Sequence, residues 1–431
     1  MNKKTLTPDG YIPRLIDKQI DDMMRIYGAV CIEGPKWCGK TWTSSNHAVS
    51  MKSLGNPERN FQNKRLAEMD PDLIFDGEKP LLIDEWQEVP QLWDAVKFKV
   101  DQLQSKGQFI LTGSSSPRRR GILHSGSGRI GNVRMRTMSL FEMGKSSGVV
   151  SLKDLFNNSV KSQNVGEISL ESIIDMILHG GWPGSISMTA EESQKIARDY
   201  LLNVPDDMKK LDGKTRNAGK VYSLLRSLGR NESTMTSKTK ILNDMDEYEE
   251  DKINIPEKDS VTDYLDCFLK LFLIEDQPVF SEKLRSSVKA LKKPKRHFTD
   301  PSLAAAAIGA TREMLLNDLN TLGFLFESLC IHDLRIYAEA NDGSVYHYHD
   351  ERNKEADAII QFSNGQWGMF EVKLGFNQVD SAAESLLALQ SSFLSETSTK
   401  PDFLCVVCGM SNAAYKRPDG VYVVPITALR D

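Results

Sequence analysis

Long apolar runs are missing from this chain of 431 residues. The longest candidate, Ser302 to Ala310 (SLAAAAIGA), falls far short of the ~20 residues that cross a bilayer, so no membrane is expected among its partners. The opening residues, MNKKTLTPDG, carry lysines with no apolar stretch behind them, which gives no secretory signal and a cytoplasmic expectation. Cysteine is scarce as well. The six thiols at positions 31, 38, 267, 330, 405 and 408 are too dispersed for a disulfide framework. Cys405 and Cys408 stand three apart inside the apolar run FLCVVCG, where strand geometry points them to opposite faces, so buried thiols are expected rather than a metal or redox pair. The seven histidines are scattered; His347 and His349 share a strand face with no third ligand near them in sequence. Neither sign of charge dominates: 54 Lys and Arg stand against 59 Asp and Glu, a net charge of −5, which excludes a polycationic binder and leaves room only for local basic patches. With 17 Pro, 29 Gly and 40% hydrophobic residues the chain is neither low-complexity nor disordered, and its length suits about three domains.

The first chemical signal starts at Gly28. The strand-length run GAVCIE leads into Gly34-Pro35-Lys36-Trp37-Cys38-Gly39-Lys40-Thr41, which satisfies G-x-x-x-x-G-K-[ST] at every fixed position. The two glycines let the backbone curl so that its N–H groups point inward at phosphate oxygens, and the helix that follows adds the positive end of its dipole. Lys40 is expected to reach the β- and γ-phosphates of ATP, and the Thr41 hydroxyl to coordinate Mg²⁺. Alone the pattern arises by chance in roughly one chain in a hundred, so its context decides. The apolar run Leu81-Leu82-Ile83 ends in Asp84-Glu85, which supplies a carboxylate for the metal and a second one, Glu85, to orient and polarise the attacking water. A third strand, Gln108 to Leu111, ends in Thr112-Gly113-Ser114-Ser115, where Thr112 or Ser114 is placed to sense the γ-phosphate. Between them, Leu92, Val96, Val100 and Leu103 repeat at helical spacing, as a crossover helix should. Cations for the developing charge are available downstream: Arg129, expected as an arginine finger in cis or from a neighbouring copy, and Arg118 to Arg120, read as a solvated basic loop.

These segments resemble the bacterial and archaeal AAA-type ATPases that carry a C-terminal domain of unknown function. The resemblance is carried by IEGPKWCGKTW, LLIDEWQEVPQLWDAV, FILTGSSSP and HSGSGRIGNVRMRTMSLFEMG, and it continues through GGWP (Gly180 to Pro183), LLRSLGRNEST (Leu224 to Thr234) and FTDPSLAAAAIG (Phe298 to Gly309). It implies an ATP-hydrolysing domain followed by helical and C-terminal regions, and it names no single biological role.

The middle of the chain reads as helices, then a strand near Ile274, a basic turn and another strand, the order of a winged helix; the family resemblance implies the same. Lys214, Arg216, Lys220, Arg226, Arg230, Lys238 and Lys240 have only Glu232 among them, and a second basic run spans Lys283 to Arg296. Such residues neutralise DNA phosphates without reading bases, although the acidic run DMDEYEED from Asp244 to Asp251 lies between the two stretches and balances them equally well. Further on, a helix containing Glu327 precedes three strand-like segments. Asp357 near the start of the second, with Glu371-x-Lys373 on the third, has the spacing of restriction-endonuclease-like nucleases: Asp357 and Glu371 are expected to bracket Mg²⁺, with Glu327 supplying a further oxygen, and Lys373 to activate water or stabilise the pentavalent phosphorane.

The expectation is therefore an α/β protein in three parts: an AAA-like P-loop domain with a parallel sheet (1–150), a helical and winged-helix region (151–300), and a restriction-endonuclease-like domain (301–431). Two functions compete. One is an ATP-driven switch that contacts double-stranded DNA and gates a nuclease; the other is an ATPase scaffold that binds protein partners and never cuts. ATP and ADP are the expected ligands, Mg²⁺ the cofactor, and a homo-oligomer fits either function.

Overall fold

A computed structural model describes residues 5–115, 125–249, 251–281, 293–350, 352, 354–397 and 399–431. They pack as two compact units: one of residues 1–137, 206–215 and 266–273, the other of residues 138–205, 216–265 and 274–431. The C-terminal region and most of the central region thus share the second unit, while residues 206–215 and 266–273 belong to the first. No helix among the described residues is long and apolar enough to cross a membrane.

The first unit is built on five strands, β1 (Ala29–Glu33), β2 (Ser50–Ser53), β3 (Leu81–Asp84), β4 (Phe109–Gly113) and β5 (Ile130–Arg134), in the order β2-β3-β4-β1-β5. All pairings are parallel. A parallel sheet is covered on both faces, which is why β1, β3 and β4 read as continuous apolar runs rather than alternating ones. Ala29, Cys31, Leu81, Ile83, Phe109 and Leu111 join one core; Val30, Ile32, Leu82, Ile110 and Val133 join the other. Each fully buried Leu or Ile contributes about 1.5–3 kcal/mol. The helices are α1 (Ile16–Ile26), α2 (Lys40–His47), α3 (Gln62–Met69) and α4 (Leu92–Leu103), the last being the crossover expected from the Leu92, Val96, Val100 and Leu103 spacing. Gly28 is there because α4 presses on it: a Cβ would stand 2.2 Å from a methyl group of Val100.

In the second unit come the short strands β6 (Val150–Ser151) and β7 (Gln163–Asn164), the antiparallel pair β8 (Ile274–Gln277) and β9 (Lys295–Phe298), then β10 (Gly343–His349), β11 (Glu355–Phe362), β12 (Trp367–Lys373), β13 (Leu404–Cys408), β14 (Ala413–Lys416), β15 (Tyr422–Pro425) and β16 (Leu429–Arg430). Seven of them form a mixed sheet, β10-β11-β12-β13-β15-β14-β7, antiparallel from β10 to β12 and parallel from β12 through β13 to β15. The helix Leu319–Glu339 and the helix Val379–Thr397 pack on this sheet, the second through Val379, Ala382, Ala383, Leu386, Leu389 and Phe393. Cys408 joins that apolar cluster with Leu404 and Val406, the alternate positions of β13. Trp182 is a packing anchor: it is buried, and its indole Nε1 donates to Ser302 Oγ at 3.0 Å while Gly181 N donates to Asp300 Oδ2 at 2.9 Å, tying GGWP to FTDPSLA.

The central basic stretch is less free than its composition suggests. Arg226 pairs with Glu249 (2.6 Å) and Arg230 with Asp244 (2.7 Å), two carboxylates of the acidic run, and Arg216 pairs with Asp263. Of the proposed wing, residues 282–292 lie outside the described residues. Its last two cations are taken: Arg296 bonds Asp276 at 2.9 Å, and Lys295 is buried among carboxylates. Lys295 is therefore corrected from a phosphate-contacting residue to an internal one, while Arg296 is half-buried and ion-paired.

Candidate nucleotide site and a carboxylate–lysine cluster

Strand β1 delivers the chain to Gly34 at the carboxyl edge of the first sheet. Met135 N donates to Glu33 O at 2.7 Å, and a Cβ on Gly34 would lie 2.1 Å from the Met135 carbonyl oxygen, so only glycine passes there. Gly39 turns into α2 with φ 101°, in the left-handed region that glycine tolerates. Between them Trp37 also has positive φ (64°) and is 59% exposed. Pro35, Lys36, Trp37 and Cys38 thus form an arch whose side chains lie outside the cradle: Cys38 is buried against Met135, and Lys36 is ion-paired to Asp207. The arch end is held from behind by Arg14, buried, whose guanidinium donates to Cys38 O (3.0 Å), Arg136 O (3.0 Å) and Thr137 O (3.2 Å). Nothing in the sequence marks this arginine. Arg14→Ala leaves those buried carbonyls without their charged donor, which costs at least about 2 kcal/mol; a thermal melt is expected to fall by several degrees, with weaker nucleotide binding as its companion.

Lys40 is buried and folded over its own loop, donating to Pro35 O (2.7 Å) and Gly34 O (3.0 Å). The next residue meets the second strand tip: Thr41 Oγ1 donates to Asp84 Oδ1 at 2.9 Å. Strand β4 lies between β1 and β3 in the sheet, so its tip completes the group, with Thr112 Oγ1 donating to the same Asp84 oxygen at 2.7 Å. Ser53, at the end of β2 and level with Asp84, donates to Asp84 Oδ2 at 3.2 Å; the sequence does not mark it, because Ser50-Met-Lys-Ser lacks the apolar signature of a central strand. A buried carboxylate ringed by three hydroxyls is a hard-oxygen set that suits Mg²⁺, and Thr41 and Asp84 are the residues that would hold it.

Glu85 sits just past the strand with φ 59°. Its backbone N–H donates to Thr112 Oγ1 (3.1 Å), and its carboxylate accepts from Ser114 Oγ (3.2 Å) and from Gln87 Nε2. Nothing in the sequence marks Gln87, which is only the glutamine of IDEWQ. Arg129 is not brought to this edge. It precedes β5, whose first residue Ile130 stands beside Ala29, so it lies at the opposite end of the strands, about 20 Å from Gly34 along β1. Its side chain, 48% exposed, is bonded to Asp101 at 2.8 Å. The expected finger role within the same chain is corrected on that ground. Arg118 to Arg120 lie outside the described residues.

The second constellation assembles in the other unit. Ala358 faces Phe370 across β11 and β12, which leaves Asp357 level with Glu371. Val372 N donates to Asp357 Oδ2 (2.9 Å), Lys373 Nζ to Glu371 Oε1 (2.8 Å), and Glu327 approaches from the helix Leu319–Glu339. The unexpected member is Lys295, which donates to Glu327 Oε1 (2.8 Å) and Asp357 Oδ1 (3.2 Å). Burial pushes Glu327 up to about 8, with the Asp357 charge adding to it and Lys295 opposing. Glu371 is likewise pushed up to about 8 by burial and by Asp357, against the pull of Lys373. Both lysines would be lowered by burial, but their carboxylate neighbours hold them above the usual lysine range. A divalent ion does not fit between Asp357 and Glu327 as they stand, because an ammonium already occupies that place.

Three stretches match protein-family models: residues 27–144 match an AAA domain, residues 170–314 a domain of unknown function (DUF8612), and residues 322–429 another domain of unknown function (DUF4143). No curated protein matches the chain. Among solved structures it is similar to the Walker-type ATPase PABY2304 of Pyrococcus abyssi, at 12% identity over 71% of this chain and 99% of that one, with a TM-score of 0.42. It is also similar to the replication initiator DnaA bound to AMPPCP and single-stranded DNA (13% identity, 62% and 91% covered, TM-score 0.28). A third likeness is to the Aeropyrum pernix Orc1 protein in complex with DNA (10% identity, 72% and 96% covered, TM-score 0.28). At these identities and TM-scores the structural likenesses carry no functional weight. The matched model and the geometry of the loop agree on the same segment: residues 27–144 form an AAA-type, ATPase-like P-loop domain.

Proposed function

We propose that the chain binds ATP with Mg²⁺ in the cradle Gly34 to Thr41, hydrolyses it, and passes its nucleotide state to the central and C-terminal regions. The observation that carries this reading is the convergence of Lys40, Thr41, Asp84, Thr112 and Glu85 at one sheet edge. In this reading Lys40 leaves its loop carbonyls to neutralise the β- and γ-phosphates, and the loop N–H groups hold their oxygens. Thr41 and Asp84 hold the metal, which when bound offsets phosphate charge. Glu85 accepts the proton of the attacking water, with Ser114 and Gln87 setting its position, and Thr112 links the sensing strand to the metal carboxylate. For the relay, residues 206–215 and 266–273, drawn from the central region, pack in the same unit as the P-loop. Asp207 reaches Lys36 of the arch, and the ring of Phe272 lies under the Arg134 guanidinium at 3.9 Å.

Two partners fit such a switch. Duplex DNA on a winged helix is favoured by Lys214, Lys220, Lys238 and Lys240. A protein partner, with the nuclease-like domain as a docking module, is favoured by the pairing of Arg226 and Arg230 and by the place Lys295 has taken. The test is steady-state ATP hydrolysis with Mg²⁺, with and without plasmid DNA, while the plasmid is run on a gel. Hydrolysis with the plasmid left intact is expected. Stimulation by DNA that falls steeply with salt selects the DNA partner, indifference to DNA selects the protein partner, and the absence of hydrolysis refutes the proposal.

A further inference from the structure

Glu327, Asp357 and Glu371 bring three carboxyl groups together in the second unit, and one ammonium bridges two of them. Lys295 Nζ stands 2.8 Å from Glu327 Oε1 and 3.2 Å from Asp357 Oδ1, with its side chain 6% exposed. It is anchored there. Lys295 opens β9 and stands opposite Gln277 of β8; Gln277 Nε2 donates to the Asp357 carbonyl at 2.9 Å, and Gln277 Oε1 is 2.9 Å from His297 Nε2. The strand pair that carries Lys295 is thus bonded to the backbone of Asp357 itself. The other Asp357 oxygen is held by Val372 N, and Glu371 Oε1 by Lys373. That leaves Glu371 Oε2, a buried oxygen without a hydrogen-bond partner, beside a cluster in which two ammoniums already serve the carboxyl groups.

A divalent ion bridging Glu327 and Asp357 would have to take the position of the ammonium, and one bracketing Asp357 and Glu371 would meet Asp357 Oδ1 on Lys295, Asp357 Oδ2 on Val372 N and Glu371 Oε1 on Lys373. If Lys295 stayed, the buried site would hold excess positive charge; if it were displaced, the buried ammonium would lose both its carboxylates. Breaking a buried ion pair by removing one partner is strongly unfavourable. We propose that Lys295 is the resident cation of this cluster, holding Glu327 and Asp357 together in place of a divalent metal, so that the C-terminal domain does not cut phosphodiesters by a metal-dependent route. This does not rest on ATP hydrolysis.

The experiment is Mn²⁺ binding to the full chain without nucleotide, read from the EPR signal of the free ion. The unmutated chain and Asp357→Asn are expected to bind the same number of ions. Lys295→Met, which keeps the volume and removes the charge, is expected to gain one site, and Lys295→Met with Asp357→Asn to lose it again. An Mn²⁺ site in the unmutated chain that Asp357→Asn abolishes overturns the proposal, and this comparison stands even if Lys295→Met fails to fold. A folded Lys295→Met that gains no site overturns it as well. ATP hydrolysis, measured on the same proteins, is expected to be unchanged by Lys295→Met; its absence everywhere would refute the proposed function and leave the metal count untouched.

Discussion

Lys40→Ala is expected to lower ATP hydrolysis by about a hundredfold to a thousandfold, the loss that follows removal of a preorganised charge-stabilising donor. The side chain has two duties here. Without nucleotide, its ammonium is buried and satisfies the Pro35 and Gly34 carbonyls, keeping the arch from collapsing or opening. With nucleotide, the same ammonium is exchanged for phosphate oxygens, which bind it more strongly because both partners are charged. Alanine forfeits both duties, so nucleotide affinity is expected to fall with the rate. Fluorescence of Trp37 and Trp42, both more than half exposed beside the cradle, reports binding directly. A Lys40→Ala protein that hydrolyses ATP at the unmutated rate would place the chemistry elsewhere.

Glu85→Gln is expected to separate the two steps. Glutamine keeps an oxygen to accept from Ser114 and preserves shape and backbone, so the cradle and Asp84 are undisturbed. What it cannot do is take a proton, and loss of a positioned base costs about a hundredfold or more in rate. The expected result is retained ATP binding with hydrolysis lowered by that factor, checked by single-turnover hydrolysis beside a nucleotide-binding titration. If binding falls together with the rate, Glu85 shapes the site and does not act on water. Its bonds to Ser114 and Gln87 give those two residues positioning roles, so Ser114→Ala and Gln87→Ala should change the rate less than Glu85→Gln does.

Much of the first unit is legible because its chemistry is local. The loop from Gly34 to Thr41 is a run of eight consecutive residues with required types at required spacings, and the strands on either side of it are apolar because both faces of a parallel sheet are covered. Asp84, Glu85, Thr112 and Ser114 follow such strands directly, so their place at a strand tip can be read without knowing the strand order. Arg14 and Ser53 escape the same reading. Each acts through one contact with a residue distant in sequence, and neither a lone arginine nor a serine in a half-exposed strand carries a pattern. Arg129 shows the converse error: a Gly-Arg segment near the right strand looks catalytic, but the direction of β5 sends it to the wrong end.

By itself, the sequence determined the P-loop from Gly34 to Thr41, the place of Asp84 and Glu85 at a strand tip, and the existence of Asp357, Glu371 and Lys373 as a strand-borne group, because each depends on spacing along neighbouring residues. Only the tertiary structure decided what those groups meet. Strand order placed Thr112 between the loop and Asp84, chain direction removed Arg129, and the pairing of β8 with β9 carried Lys295 out of a basic run into a carboxylate cluster. The physical reason is the same in each case. Charge along a sequence says how many ions there are, whereas burial and long-range pairing decide which of them face water, phosphate or one another.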